Sequence, residues 1–315
     1  MPPTELEIIG KIEKLAGRIR RSWVQLGIGD DAAVVKTPAG HQILLTTDQV
    51  IEKTHFTKET HPPGALGHKI LARGLSDIAA MGGQPLCCLL SLQMPGWATG
   101  AWLSAFLSGL LRLSRNSDAP LVGGDVARGR LLAAVITVVG SAPAGEILTR
   151  GGARPGDIVY VSGRLGGSAA GLEKLLRRPA GNPVPRDRAV RRHLWPEPRL
   201  SLGRRLRKLG ATAAMDLSDG LALDLARLTK ASGAGAEIDA ARIPLFPGAS
   251  LKQALHGGEE YEILFTLPPG LQPPASFEKI PLTPIGRIRR KPGVELRSAS
   301  GVEKLKPRGF QHFDR

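Results

Sequence analysis

Cysteine is nearly absent. The 315-residue chain has two, Cys87 and Cys88, side by side in an apolar stretch. A disulfide framework and a cysteine-ligated zinc site are thereby excluded, and the pair reads as two small buried hydrophobes in a reducing compartment. Aromatic residues make up only 4%, so Leu, Val, Ile and Ala must fill the cores. No stretch interleaves aromatic with basic side chains, which argues against a nucleic-acid binder. Long hydrophobic runs are missing too. The longest, Leu131 to Gly140, falls short of a bilayer span, and the acidic N-terminus lacks the apolar segment of a secretion signal. These absences predict a cytoplasmic protein without a membrane anchor.

What is present is an ordinary globular composition, 42% hydrophobic and 23% charged, which supports real cores and opposes global disorder. Positive charge dominates, with 43 Lys and Arg against 28 Asp and Glu and a formal charge of +15. That excess suits polyanions or small anionic substrates, and equally an Arg-rich solubilising surface. The Arg-rich stretch from Arg186 to Lys208 reads as a solvated helical face.

The length fits two domains. The Gly-, Pro- and Arg-rich stretch "LTRGGARPGD" marks the break, giving expected domains 1–145 and 146–315. In the first, Thr4 to Glu7 fits a capping box that opens a helix to about Ala16. "HQILLTTD" reads as a strand with a polar, acidic tip. Gly64 to Met81 reads as a helix stopped by Gly82-Gly83, Trp102 to Arg115 as another, and "LLAAVITVVG" as a buried strand. In the second, "DIVYVSG" and "ATAAMDLSDG" read as strands, "LALDLARLTKAS" as a helix, and further strands follow from "EEYEILFT". The tail from Arg287 to Arg308 reads as basic and irregular. Strands alternating with helices predict an α/β or α+β fold in both halves, without a short-period repeat.

Against the basic background, acidic residues recur beside glycine or small neighbours at the ends of apolar elements: Asp30-Asp31, Asp48, Asp77, Asp125, and Asp216 with Asp219. Each has a local explanation. Asp30-Asp31 suits an Asx-turn, Asp48 a helix cap, Asp125 a Gly-Gly turn, and Ser218 or Asp219 the N-cap of the next helix. Asp77 is the hardest to explain in this way. It lies inside a helical pattern at the edge of the Leu71, Leu75, Ile78 face, where Asp is a poor helix former, four residues after a possible partner, Arg73. Together the acids would repel unless cations lay among them. Hard divalent ions take oxygen ligands from Asp, Thr and Ser, and Mg²⁺ completes its shell with water and phosphates. A nucleotide polyphosphate held through metal follows. It agrees with the lack of G-x-x-x-x-G-K-[ST] and of the protein-kinase H-R-D set. "GRLGG" at residues 163–167 is explained as well by a strand-to-helix turn as by a dinucleotide fingerprint.

Seven motifs occur in one order: "GIGDDAAVV", "LLTTDQVIEKTHF", "LSDIAAMGGQP", "LVGGDVARG", "LTRGGARPGD", "MDLSDGLALDLARL" and "GGEEYEILFT". This set resembles the thiamine-monophosphate kinase family, of the superfamily that includes aminoimidazole ribonucleotide synthetase. The resemblance implies an N-terminal α/β domain whose strands pair across a homodimer and a C-terminal α/β domain that closes over the site. It implies ATP- and Mg²⁺-dependent phosphorylation of thiamine monophosphate to thiamine diphosphate by direct γ-phosphoryl transfer, with no covalent nucleophile. Catalysis would then rest on positioning and charge neutralisation.

Matched motif by motif, the implied metal ligands are Asp31 with Asp30 in support, Thr46, Thr47, Asp48, Asp77, Asp125, Asp216 and Asp219. Gly124, Asp125, Arg150 and Ser218 match ATP contacts. His55, Glu259 and Phe310 match substrate contacts; without the family they read as a loop histidine, a strand-edge charge and a C-terminal packing residue. The chain departs from the family at Gly74, where Asn is common, at Glu260, where "GGEDYE" is usual, and at "IEKTHF", where "VEGVHF"-like sequence is usual. None of these removes an implied metal ligand. A selenophosphate synthetase would carry a reactive residue near the N-terminus, and a hydrogenase-maturation relative a terminal cysteine; neither is found. Aminoimidazole ribonucleotide synthetase is the nearer alternative, disfavoured by "LTRGGARPGD" and "GGEEYE". A basic nucleic-acid binder would explain the charge and not the order of acidic motifs.

Overall fold

The structure, a computed structural model, describes residues 5–17, 21–26, 28, 33–177 and 186–310. Thr4 of the expected capping box, and Asp30 and Asp31, lie outside them. The chain forms two compact units. One takes the described residues up to Ile78 and from Gly83 to Gly145, the other Ala79–Gly82 and the described residues from Glu146 on.

The first unit runs α1 (Glu5–Ala16), β1 (Val24–Leu26), β2 (Val34–Val35), β3 (His41–Ile51), α2 (Pro63–Ala80), β4 (Gln84–Met94), α3 (Gly100–Asn116), β5 (Leu121–Arg128) and β6 (Ala133–Pro143). Its main sheet has the order β3-β6-β4-β5. Only β4 and β5 are parallel, joined by α3 as a parallel pair requires. Helix α2 opens on Pro63, whose missing N–H costs nothing in a first turn, and closes before Gly82 at φ +68°. Between Ala65 and Ala80 every residue is buried except Arg73 and Asp77. These two are four residues apart and so share one face. Gly74, which departs from the resembling family, lies against the sheet, where a Cβ would stand 2.7 Å from Val138 Cγ2.

Strand β3 does not end at Thr46-Thr47-Asp48. It continues to Ile51, in register with β6 throughout, so these residues are mid-strand rather than at a tip. Alternation then separates them. Thr46 and Asp48 share the face of the buried Leu44 and Val50, and Thr47 shares the opposite face with Ile43 and Leu45, which are 44% and 71% exposed. Asp125 is likewise inside β5 and not in a Gly-Gly turn.

The second unit runs β7 (Ile158–Ser162), α4 (Gly167–Arg177), α5 (Arg188–Leu194), α6 (Leu200–Lys208), β8 (Ala213–Asp216), α7 (Leu221–Ala231), β9 (Gly235–Asp239), α8 (Leu251–His256), β10 (Ile263–Leu267), β11 (Ser276–Phe277), β12 (Ile280–Arg289), β13 (Gly293–Ser298) and β14 (Gly301–Lys304). Its sheet has the order β14-β13-β9-β12-β7-β10-β8, with β11 on β12. The centre of the sheet is buried on both faces. Val159, Val161, Met215 and Leu264 pack with α7 residues, whereas Tyr160, Ala214 and Phe265 pack with Leu202 and Leu206 of α6. Double burial explains the unbroken apolar runs "IVYV" and "ILF". Three readings change here. The tail from Arg287 to Arg308 is not irregular, since it holds the end of β12 and the β13–β14 hairpin. "GGEEYE" precedes the strand, which starts at Ile263. Helix α7 is capped at Gly220 and not by the Ser218 or Asp219 side chain.

Helices α2 and α3 meet at glycines. A Cβ on Gly109 would stand 1.8 Å from Gly64 O, and one on Gly67 would stand 2.0 Å from Phe106 O. Contact this close cannot absorb a methyl group without moving a backbone. We expect Gly109→Ala to lower the unfolding free energy by about 2–3 kcal/mol, the range of overpacked cores, in urea melts followed by far-UV circular dichroism.

Candidate active site

In the first unit, the exposed spot on α2 faces the polar part of β3. Thr46 Oγ1 donates to Asp77 Oδ2 at 2.5 Å, and the Arg73 guanidinium reaches Asp48 Oδ1 at 3.3–3.4 Å. Two carboxylates, a hydroxyl and a guanidinium thus converge from two elements, on the one face of α2 that is not sealed. The opposite sheet face carries Thr47, whose Oγ1 donates to Ile136 O at 3.3 Å and accepts from Thr137 Oγ1 at 3.3 Å. Cross-strand register puts Asp125 beside Ser91 and Val135 on this second face. A cavity of about 480 Å³ opens there, lined by Asp125, Ser91 and Thr137 among apolar neighbours from α1 and the sheet, with Ile28 and Ala33. The structure therefore groups Thr46, Asp48 and Asp77, and sets Thr47 and Asp125 on the other side of the sheet. Gly124 falls in the register row of Leu90, where a Cβ would stand 1.9 Å from Leu90 O. Packing between strands is enough to require glycine. His55 is turned back on its own chain, with Nδ1 accepting from Ile51 N at 3.1 Å.

In the second unit, β8 delivers the buried Asp216 at its end, followed by the turn through Ser218 and Asp219 into α7. The turn is held from below by Asp224, fully buried, which accepts from the Asp219 and Gly220 N–H groups at 3.0 and 3.1 Å. Arg227 pairs with both Asp219 and Asp224. Burial pushes the Asp224 carboxyl up to about 6, against the pull of those N–H groups and of Arg227. The main-chain oxygen of Asp219 accepts from Phe310 N at 3.1 Å, so Phe310, 47% exposed, lies beside this turn. Arg150 is exposed, with its carbonyl fixed by Ser232 Oγ at 3.0 Å.

The "GGEEYE" loop lies against the same turn, with Glu259 N donating to Ser218 O and Tyr261 N to Leu217 O at 2.7 and 2.9 Å. Glu259 and Tyr261 take φ of +61° and +51°, a left-handed conformation that costs non-glycine residues about 1–3 kcal/mol each. Below the loop is a buried charge cluster. Glu262, 1% exposed, accepts from Ser162 Oγ at 2.5 Å and from Arg199 Nε and Nη2 at 2.9 and 2.5 Å, and it pairs with Arg192. Burial alone would push its carboxyl up, but Arg192 and Arg199 outweigh that and hold it below the ordinary range. Gly163, at φ +66°, gives Glu262 room, since a Cβ there would stand 2.2 Å from Glu262 Oε1. Glu260, 2% exposed, accepts from Ser168 N at the start of α4 at 2.9 Å. Burial pushes its carboxyl up to about 7 in spite of Arg192. The "GRLGGS" turn thus opens a helix whose first N–H groups serve the protein's own Glu260.

Several residues here escaped the sequence reading: Arg192, His193, Arg199, Asp224, Arg227 and Glu262. The Arg186–Lys208 stretch is not wholly a solvated face, because Arg192 and Arg199 turn inward to Glu260 and Glu262. Its exposed members, such as Arg188, Arg191 and Arg205, fit the original reading. Prolines on both sides of Glu197 were the one visible hint that Arg199 is held in a fixed segment.

Among the described residues, no three His, Cys, Asp or Glu side chains gather into a preformed metal cage. Mg²⁺ needs none. It binds through one or two carboxylates and fills its shell with water and phosphate oxygens, and the Thr46–Asp77 pair and the Asp216–Asp219 turn supply oxygen donors of that kind. Cys87 and Cys88 are buried in the first unit, and burial pushes both thiols up, Cys87 to about 11. They remain neutral and apart from this chemistry.

Residues 29–142 match the model of the AIR synthase related protein N-terminal domain, and residues 154–296 match that of the C-terminal domain. The thiamine-monophosphate kinase of Escherichia coli K12 is 41% identical over 268 residues, 82% of this chain and 81% of that protein. That of Bacillus subtilis is 35% identical over 310 residues, 94% and 95% of the two chains. The crystal structure of thiamine-monophosphate kinase from Stenotrophomonas maltophilia has a TM-score of 0.83 at 34% identity, covering 93% of this chain and 96% of its own. AaThiL complexed with AMPPCP and TMP has a TM-score of 0.79 at 33% identity over 98% and 97%. E. coli HypE, a hydrogenase maturation protein, has a TM-score of 0.74 at 19% identity over 96% of each chain and shares the fold.

The Glu260 carboxyl gives a pH test. Its pKa in the folded protein, about 7, exceeds its ordinary value of 4.5, so the folded state holds the proton more tightly. Its contribution to stability is then full below pH 4.5 and is lost as pH rises through 7. We expect the difference in unfolding free energy between the wild type and Glu260→Gln to fall by about 3 kcal/mol across that window. Denaturant melts at a series of pH values measure it, and a flat difference would remove the buried-acid assignment.

Proposed function

The chain belongs to the thiamine-monophosphate kinase family, within the AIR synthase related proteins, and we propose that it transfers the γ-phosphoryl group of ATP to thiamine monophosphate, giving thiamine diphosphate. The observation that carries this reading is identity of 35–41% over most of the chain to kinases of that name, together with a similar structure, AaThiL, that was solved with AMPPCP and TMP. The transfer is direct and in line. No side chain is called on as a covalent nucleophile, and the two reacting groups need holding in place rather than activating.

The proposed magnesium ligands are Asp31, Thr46, Thr47, Asp48, Asp77 and Asp125 in one unit and Asp216 and Asp219 in the other. Bound Mg²⁺ supplies neutralisation of the phosphate charge that grows in the transition state. Asp77 is the best supported of the set. It stands half-exposed on an otherwise sealed helix, with its carboxylate oriented by Thr46. Asp125 and Gly124 are proposed for ATP, which the cavity beside Asp125 supports, with Arg150 and Ser218 as further contacts. The fork of Arg150 suits a phosphate. His55, Glu259 and Phe310 are proposed for thiamine monophosphate, Phe310 through its exposed ring.

A homodimer is proposed as well, supported by Ile43 and Leu45, which stand exposed on the sheet face opposite α2. Among the described residues no helix is long and apolar enough to cross a membrane. We take the enzyme to be cytoplasmic, consistent with its two free buried cysteines.

An assay with ATP and Mg²⁺ on thiamine monophosphate, thiamine and aminoimidazole precursors is the direct test. Phosphate transfer to the monophosphate alone is expected, and turnover of an aminoimidazole precursor would replace this reading by its nearest rival. Within that assay, Asp77→Asn should lower kcat by about two orders of magnitude or more, the usual size of losing charge stabilisation in a transition state. Its melting temperature should stay near that of the wild type. An unchanged kcat would remove Asp77 from the metal set.

A further inference from the structure

The strained "GGEEYE" loop is gripped by two successive residues of one short helix. Arg192 Nη2 donates to the main-chain oxygen of Glu260 at 2.9 Å and pairs with the Glu262 carboxylate. His193, 1% exposed, places Nδ1 2.9 Å from Ser168 Oγ and 3.6 Å from Glu259 Oε2. The two side chains thus take hold of the loop at different points, Arg192 at its backbone and far end, His193 at the Glu259 carboxylate. Their helix, α5, is itself fixed without help from the loop. Its N-cap Asp187 accepts from Ala189 N and Val190 N at 2.9 and 3.2 Å and bonds Lys174 Nζ of α4 at 2.6 Å. Helix α4 approaches so closely that a Cβ on Gly171 would stand 2.2 Å from Ala189 O.

We propose that Arg192 and His193 are positioning residues that hold Glu259 in its working orientation by clamping the loop that carries it. The inference rests on the reading of Glu259 as a thiamine monophosphate contact. The loop needs such a clamp. Glu259 and Tyr261 hold left-handed backbones with only one residue between them, and such conformations persist only where the surroundings over-determine them. On one side the turn after β8 supplies two main-chain bonds, to Ser218 O and Leu217 O. On the other, α5 supplies the charged and imidazole contacts. Arg192 is specific in this role because one guanidinium must reach a carbonyl and two carboxylates from a single stem, which a lysine ammonium on a flexible chain does not reproduce. Its Nε stands 3.6 Å from Glu260 Oε2, an ion pair without a hydrogen bond, and both atoms are buried without another hydrogen-bond partner. The contact therefore depends on burial and on the exact position of α5.

The test combines hydrogen exchange with kinetics on the full chain. In Arg192→Met and in His193→Gln, amide exchange of the segment 257–262 should rise about tenfold, the scale of losing one buried hydrogen bond. Exchange in β12 and β13 should not change. KM for thiamine monophosphate should rise about tenfold as well, with KM for ATP and the melting temperature close to wild type. Arg192→Lys, which keeps the charge without the fork, should recover only part of the protection, and it keeps the test usable if the methionine variant folds poorly. Unchanged exchange in the loop, or exchange raised evenly across the whole unit, would overturn the clamp. Glu259→Gln separates the two readings. If the α5 variants loosen the loop while Glu259→Gln leaves KM for thiamine monophosphate unchanged, the clamp stands and the substrate role of Glu259 falls.

Discussion

A carboxylate removed from water must be compensated, and most of the described architecture around the conserved-looking motifs answers that requirement. Desolvation of an ion costs several kcal/mol even after relaxation. Glu262 meets that cost with two arginines and a serine, Asp224 with two main-chain N–H groups and Arg227, and Glu260 with the start of α4 and with Arg192. Near the surface the compensation is lighter. Asp48 has a single guanidinium at 3.3 Å and Asp77 a hydroxyl. The gradient has a physical sense. The deep acids are fully provided for and act as structure, whereas the shallow ones keep oxygen lone pairs that an incoming cation can use.

This gradient also resolves the contradiction of a chain with +15 formal charge built around acids. Much of the positive charge that matters is not on the surface. Arg192, Arg199 and Arg207 are largely buried, and each pairs with a glutamate of its own unit. Catalysis by positioning requires fixed groups, and ion pairs with several donors fix side chains better than single contacts do.

The legible part of the sequence was the part written in local pattern. Helices α2, α3 and α7 follow from their 3.6-residue periodicity and glycine stops, and β6 and β7 from continuous apolar runs. Asp77 was identifiable because an acid at the edge of an apolar helix face breaks a local rule. What escaped was set by contacts far apart in the chain. Nothing near Arg192 announces Glu260 and Glu262, which lie about 70 residues further on. The separation of Thr47 from Thr46 and Asp48 escaped for a different reason. It follows from the period of two in a strand, but only once β3 is known to run on to Ile51 rather than to end at the threonines. Polar residues in mid-strand look like a strand's end when the pairing of β3 with β6 is not in view.

The left-handed residues of the "GGEEYE" loop carry a consequence for the protein's robustness. A glycine in place of Tyr261 would relieve backbone strain, yet it would also remove a side chain that is 3% exposed, so evolution cannot relax the bend without opening a hole. Local strain and core packing are coupled at one position, and drift there is confined to residues that satisfy both. The segment is therefore a poor place to look for stabilising mutations and a good place to look for the limits on this chain's divergence.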